Sequence, residues 1–391
     1  MSRPLLMLAA ALTLLAGTAT AQHSHTPETH KPGAKAPAIC TEPAMACATA
    51  ITPFAAADGG LWLAWSAGGQ VSVARSGDGG ASFAPAITVS DRPATVDDNG
   101  EGRPKVFADT AGRVFVTWTT RQDKGYTGNV WLARSTDGGQ SFAPAKLLSD
   151  DPTSQRFETL GITADGKIVV LWIDKRGITA AKAAGKPYAG AALVATWSED
   201  GGASFGPGRI VADHSCECCR LGLATAPDGG LIVTWRQIFA GGIRDHAAAT
   251  IGPHGLGPIR RIAEDNWKVD GCPHHGPALA VDQSGAWQVA WFTDGSARQG
   301  LFHARSTDNG ASFSEPRALG NPDNQPSHPQ LLALGGTIWL AWKEFDGERA
   351  TIQAQFSTDN GATWSPPQAI AATHDASDHP QLVAVAGQAR L

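Results

Sequence analysis

The sequence predicts an all-β fold, a six-bladed β-propeller of four-stranded antiparallel blades with a seventh blade left open, and two repeat series carry that prediction. In the first series, five segments share the pattern Ser-x-Asp-x-Gly-x-x-aromatic: Ser76/Asp78/Gly80/Phe83, Ser135/Asp137/Gly139/Phe142, Ser198/Asp200/Gly202/Phe205, Ser306/Asp308/Gly310/Phe313 and Ser357/Asp359/Gly361/Trp364. Their serines lie 59, 63, 108 and 51 residues apart, and the 108-residue gap is two units long. A degenerate copy is therefore expected at Thr250 to Ile259, where the glycines remain and the Asp is lost. The second series consists of short apolar runs ending at Trp65, Trp118, Trp172, Trp235, Trp291 and Trp342, one for each expected unit. A composition with 45 Gly, 25 Pro and only 17% charged residues adds a third argument, because Gly and Pro are excluded from helix interiors.

Each unit then reads as a first strand, a Gly-containing turn, a strand ending near the tryptophan, a third strand such as VSVARS, the Ser-x-Asp-x-Gly turn and a fourth strand such as APAITVS. In the turn, the Asp is suited to accept hydrogen bonds from its own loop, the Gly takes a positive φ, and the aromatic three residues on packs beneath. A motif repeated in nearly every blade occupies equivalent peripheral places, so these aspartates read as clasps and not as catalysts. Near the C-terminus, His379-Pro380-Gln381-Leu382 copies His328-Pro329-Gln330-Leu331. That tail is expected either to complete the first blade or to begin a seventh.

The N-terminus reads as an address. Arg3, the apolar stretch from Leu5 to Leu15 and Ala19-Thr20-Ala21 form a signal-peptide pattern over residues 1–21, with cleavage near Ala21. A His-bearing arm over 22–46 and a propeller over 47–391 follow. The expected location is periplasmic or secreted, an oxidising setting. No later run reaches 18 apolar residues, so no membrane span is expected. With 31 Lys plus Arg against 36 Asp plus Glu and no basic cluster, nucleic acid is a poor partner.

The repeated turn resembles the Asp box, or BNR repeat, of the sialidase superfamily, and the copies extend from about residue 47 to 372. The resemblance implies an arginine triad gripping a substrate carboxylate, a Tyr/Glu nucleophile pair and an Asp acid/base. Arg103-Pro104 partly matches the family's Arg-Ile-Pro element, without the Ile, and Arg156 and Arg220 occupy similar entry positions. These three arginines are the candidate ligand-binding residues of the channel mouth, and salt-bridging or lining the channel is the alternative expected of them. The only tyrosines, Tyr126 and Tyr188, fall in the first half, whereas the family tyrosine lies in a late blade. Function is separate from fold here, since Asp boxes also occur in propellers without hydrolytic activity.

Cysteines and histidines supply the other candidate site. First strands line the channel of a propeller, so residues just before them gather near the axis. Arg156, Cys219 and His275 each lie 16 residues before their tryptophan, Arg103 and Arg220 lie 15 before, and His328 lies 14 before. Cys216 and Cys272 lie 19 before, Cys47 lies 18 before, and His379 repeats the place of His328. Cys216, Cys218, Cys219, Cys272, His274, His275, His328 and His379 are therefore expected to face one opening. Thiolate and imidazole donors suit copper or zinc over magnesium or calcium. A propeller of this size needs no metal to fold, which favours a metal-handling role over a structural zinc. The alternatives are disulfides, with Cys40 to Cys47 and Cys216 to Cys272 as natural pairs, or a redox-active thiol pair at Cys218 and Cys219. Three functions follow: an exported propeller binding a soft metal, an exo-sialidase-type hydrolase of acidic sugars, and a non-catalytic propeller holding a periplasmic protein.

Overall fold

The computed structural model describes residues 44–122, 127–149 and 151–391. The expected leader, most of the arm, Cys40 and Tyr126 lie outside these residues. The described chain is all-β in its sheets and forms a β-propeller, a succession of antiparallel sheets in chain order. The first sheet joins Ile51–Ala55, Leu61–Ala67, Gln70–Ser76 and Ile87–Thr88, and the second joins Lys105–Ala108, Val114–Arg121, Gly128–Ser135 and Lys146–Leu147. Two later sheets repeat the arrangement, one from Ala278–Val281 to Arg317–Leu319 and one from Ser327–Leu334 to Gln368–Thr373.

Six discrete four-stranded blades do not form. Four sheets have four strands each, while the third and fourth repeats run together as one nine-stranded sheet. They are joined where Ser215, at the end of Arg209–Ser215, pairs with Gln237 of Leu231–Phe239. The degenerate repeat lies inside this sheet, where Ile243–Gly252 turns back through Gly255–Leu256. A second correction concerns the tail. Val383–Val385 and Gln388–Arg390 pair only with each other and leave the first sheet with its own four strands, so the tail does not complete that blade. It lies beside Ile51–Ala55 and Ser327–Leu334, between the first and last repeats. An eight-residue helix, Arg176–Ala183, interrupts the third repeat. Its Ala-rich sequence favours helix, and a sheet-only expectation passed over it.

The hydrophobic core is divided among the interfaces between successive sheets. Trp62, Val73, Val106 and Val116 pack between the first and second repeats, and Phe115, Leu132, Ile168 and Val194 between the second and third. The six repeat tryptophans are all buried. Burying an indole requires a partner for its N–H. Trp172 Nε1 donates to Asp174 at 2.8 Å, Trp235 to Gln237 at 2.7 Å and Trp342 to Glu344 at 2.8 Å, each two residues along the same strand. Trp291 instead donates to Asp265 at 2.7 Å.

The repeated turns are built as clasps. In the second repeat Ser135 Oγ donates to Asp137 at 2.7 Å and accepts from the Gly139 N–H at 2.9 Å. Asp137 also accepts from the backbone N–H of Ser141 at 3.0 Å and from its hydroxyl at 2.5 Å. Gly139 has φ +83°, and a Cβ there would lie 2.2 Å from Trp62. That close approach ties this clasp to the first repeat, and Gly202 and Gly361 likewise meet the repeat before their own, whereas Gly80 and Gly310 meet Leu61 and Trp287 of the same sheet. The same pattern recurs with Ser82, Ser204, Ser312 and Thr363 closing the other four clasps. Hydroxyl donors from Ser312 and Ser306 help lower the Asp308 carboxyl to about 2, the Ser312 bond most strongly.

Candidate metal centre and the hub network

Two connections between repeats position the thiols. Cys216, Cys218 and Cys219 occupy the tight turn between Arg209–Ser215 and the next inner strand, Gly222–Thr225. The Cys216 N–H donates to the Arg236 carbonyl at 2.8 Å, which pins the start of the turn to the adjoining strand. Cys272 and His274 lie in the connection that leads into Ala278–Val281, and His274 takes a left-handed φ of 50°.

All four of these cysteines are free thiols. The Cys216 and Cys218 sulfurs are 3.6 Å apart, and those of Cys216 and Cys219 are 3.8 Å apart. Cys216, Cys218 and Cys219 form one set of donor atoms within 4.8 Å of one another, and Cys218, Cys272 and His274 form another. Cys218 belongs to both. The first three cysteines are buried, whereas Cys272 and His274 are exposed. Neither the Cys216–Cys272 disulfide nor a vicinal Cys218–Cys219 bond is present. Cys47 is disulfide-bonded, and its expected partner Cys40 lies outside the described residues.

The surroundings favour negative charge on sulfur. Arg244 Nη1 lies 3.4 Å from Cys216 Sγ, and the Arg236 guanidinium is close enough to act on the same sulfur. Among the described residues neither arginine is paired with a carboxylate. Arg236 is 1% exposed and donates only to backbone carbonyls, those of Arg244, His275 and Phe292. Hydrogen bonds from Cys218 and Cys219, with the two guanidinium groups, hold the Cys216 thiol well below its usual range. The hydrogen bonds it makes to its neighbours push Cys218 up, burial pushes Cys219 up, and a bond from Cys218 lowers Cys272. Glu217, between these cysteines, faces away to Lys175 at 3.4 Å.

Not all eight expected ligands meet. His328 and His379 join Glu101 in a separate set, with their Nδ1 atoms 3.7 and 3.9 Å from its Oε1. The two imidazoles stack on each other at 3.5 Å between centroids, and His275 stacks on His328 at 4.8 Å and on Phe292 at 4.2 Å. His275 therefore belongs to an aromatic stack, and the single eight-ligand opening is corrected to two clusters. The split follows the chain: the cysteines and His274 sit on two connections, whereas His328, at the start of Ser327–Leu334, and His379, in the tail, converge on Glu101.

Glu101 is the centre of the second cluster. One oxygen accepts from Arg220 Nη1 at 2.6 Å, and the other accepts from the backbone N–H groups of Arg220 at 2.9 Å and Gly276 at 2.8 Å. Burial alone would raise its pKa, but Arg220 and His328 hold the carboxyl well below the ordinary carboxylate range. One carboxylate thus fastens segments from several repeats. The arginine, cysteine and histidine patterns do not mark it, although it lies 17 residues before Trp118, in the same entry window.

The three arginines are committed to the fold. Arg103 makes a fork to Asp378 at 2.6 and 2.9 Å, Arg156 donates to Asp97 at 2.7 Å, and Arg220 is held by Glu101 and the Pro329 carbonyl. Arg103 is 4% exposed and Arg156 7%. The expected substrate-gripping role is corrected accordingly, since each guanidinium already has its carboxylate. Tyr188 donates to Asp213 at 2.7 Å, away from all three.

A family model for the BNR/Asp-box repeat matches residues 355–366, the clasp of the last full repeat. The fold is a β-propeller whose repeats carry Asp-box turns. Solved structures similar to this propeller include a protein of unknown function from Dyadobacter fermentans DSM 18053, with TM-score 0.51 and 16% identity over 75% of this chain and 89% of that one. A polysaccharide lyase of family PL25, an ulvan lyase, has TM-score 0.55 and 11% identity over 85% and 86%. An α-L-arabinanase from Penicillium chrysogenum has TM-score 0.51 and 13% identity over 80% and 94%. At such identities the likeness concerns the propeller alone. No curated protein sequence matches the chain. Among the described residues, no helix is long and apolar enough to cross a membrane.

Proposed function

We propose that this protein is an exported propeller that binds a soft metal ion, copper in its cuprous form before zinc, through Cys216, Cys218, Cys219, Cys272 and His274. One observation carries the reading: four free thiols from two connections are held together beside two guanidinium groups that, among the described residues, lack carboxylate partners. Buried charge is costly unless compensated, so thiolates bound to a metal are the natural counter-charge for Arg236 and Arg244. Thiolate-rich donor sets favour Cu(I) and Zn(II) over hard cations. The protein would act as a binding or delivery module, reaching the periplasm or the outside through the leader over residues 1–21. We read the nine-stranded sheet as two fused blades, which makes six repeats around the ring, with the tail hairpin as a wedge.

The test is metal content. Mature protein purified anaerobically under reducing conditions is expected to hold copper or zinc, and Cys218→Ser to hold much less. Wild-type protein that takes up neither metal overturns the reading.

A second reading, action on an acidic glycan, draws on the ulvan lyase of similar fold; the α-L-arabinanase supports only glycan chemistry in general. The commitment of Arg103, Arg156 and Arg220 to internal carboxylates weighs against a sialidase-type grip. Turnover of a fluorogenic sialoside that disappears in Arg103→Ala, with the fold intact, would favour it.

A further inference from the structure

We infer that the thiol cluster is a two-ion centre, with an exposed entry station of Cys218, Cys272 and His274 and a buried station of Cys216, Cys218 and Cys219, bridged by the Cys218 sulfur. The inference rests on the soft-metal reading above and specifies how many ions bind and where.

Geometry is the first argument. Metal–sulfur bonds of about 2.3 Å place sulfurs roughly 3.8 Å apart around a tetrahedral ion and about 4 Å apart around a trigonal one. The spacings of 3.6 and 3.8 Å from Cys216 to its two neighbours match one such shell. Cys272 does not join that trio as a fourth corner; it approaches Cys218 alone and brings His274 with it. The donors therefore describe two shells sharing one atom, which a thiolate can do because its sulfur has more than one lone pair.

Burial is the second argument. The trio is sealed, at 1% to 2% exposure, so an ion has no direct route to it from solvent. Cys272 and His274 are exposed and offer one sulfur and one nitrogen next to the shared Cys218. An ion arriving at this outer pair would pass inward by exchanging ligands on Cys218. Charge completes the case. Four thiolates and two cuprous ions leave two negative charges, which Arg236 and Arg244 offset; a single cuprous ion among four thiolates would leave three. Each thiol that binds releases its proton to solvent, and copper stays cuprous throughout, so no oxidant or reductant enters the step.

The experiment is an anaerobic titration of the reduced, full mature chain with Cu(I) supplied as its acetonitrile complex, against a chromophoric Cu(I) chelator. Wild type is expected to take two equivalents, and Cys272→Ser or His274→Ala to take one, more slowly. Both substitutions are at exposed positions, and circular dichroism should match wild type. One equivalent in wild type, or two retained in Cys272→Ser, overturns the two-station centre and leaves the metal reading standing. No uptake by wild type overturns both.

Discussion

Replacing Glu101 by Gln isolates the hub network with little change in shape. The carboxylate is 3% exposed, and its main partner Arg220 is 12% exposed, so solvent screens the pair weakly. Gln retains one acceptor oxygen, but its amide nitrogen cannot accept, so at least one of the bonds from Arg220 Nη1, Arg220 N and Gly276 N is lost. The Arg220 guanidinium would also remain buried without its counter-charge. Breaking a buried pair from one side costs about 3–5 kcal/mol. With an unfolding entropy of about 2.1 cal/mol/K per residue over roughly 350 folded residues, a loss of about 3 kcal/mol lowers Tm by about 4 °C. Calorimetry measures this, and Arg220→Met in the Glu101→Gln background should recover part of the loss. Cu(I) uptake should be unchanged, because Glu101 lies in the other cluster. A Tm within about 1 °C of wild type, below the cost of any buried unpaired charge, would refute the hub assignment.

Other outcomes follow from the same structure. Gly139→Ala should destabilise the fold by about 1–3 kcal/mol, through left-handed strain and the clash with Trp62, whereas Ala at Gly77, where a Cβ meets nothing within 4 Å, should be nearly neutral; urea melts compare them. Ser135→Ala should cost about 1–3 kcal/mol by leaving the buried Gly139 N–H without its acceptor, again read by urea melts. His303 is held neutral mainly by burial, with Arg317 and Arg305 adding to the effect, so its pKa falls to about 3. Below pH 6.5 the unfolded chain binds a proton there that the folded chain refuses until about pH 3, so stability is lost across that window at about 1.4 kcal/mol per pH unit. His303→Gln should flatten the pH dependence of unfolding by that slope.

The propeller was legible because its repeats are local. A tryptophan inside each second strand, and a clasp whose donors and acceptors lie within six residues, write the unit into short stretches of sequence. What joins units was harder to read. The pairing of Ser215 with Gln237 depends on how two neighbouring repeats twist against each other, and no residue pattern announces it. The thiol groups were legible as a cluster, since Cys216 and Cys272 hold equivalent offsets from their tryptophans. Their division from His328 and His379 was not, because offset gives height along the ring and not which side chains meet. The partners of the arginines were hidden for a related reason. Arg103 and Arg156 find Asp378 and Asp97, partners 275 and 59 residues away, which only the closed ring brings near.

Copper-edge X-ray absorption on the reduced, copper-loaded mature protein addresses the metal centre most directly. The account predicts a first shell dominated by sulfur, with a short copper–copper vector that disappears in Cys272→Ser. A shell of nitrogen and oxygen alone would place the ion away from the four cysteines and contradict it.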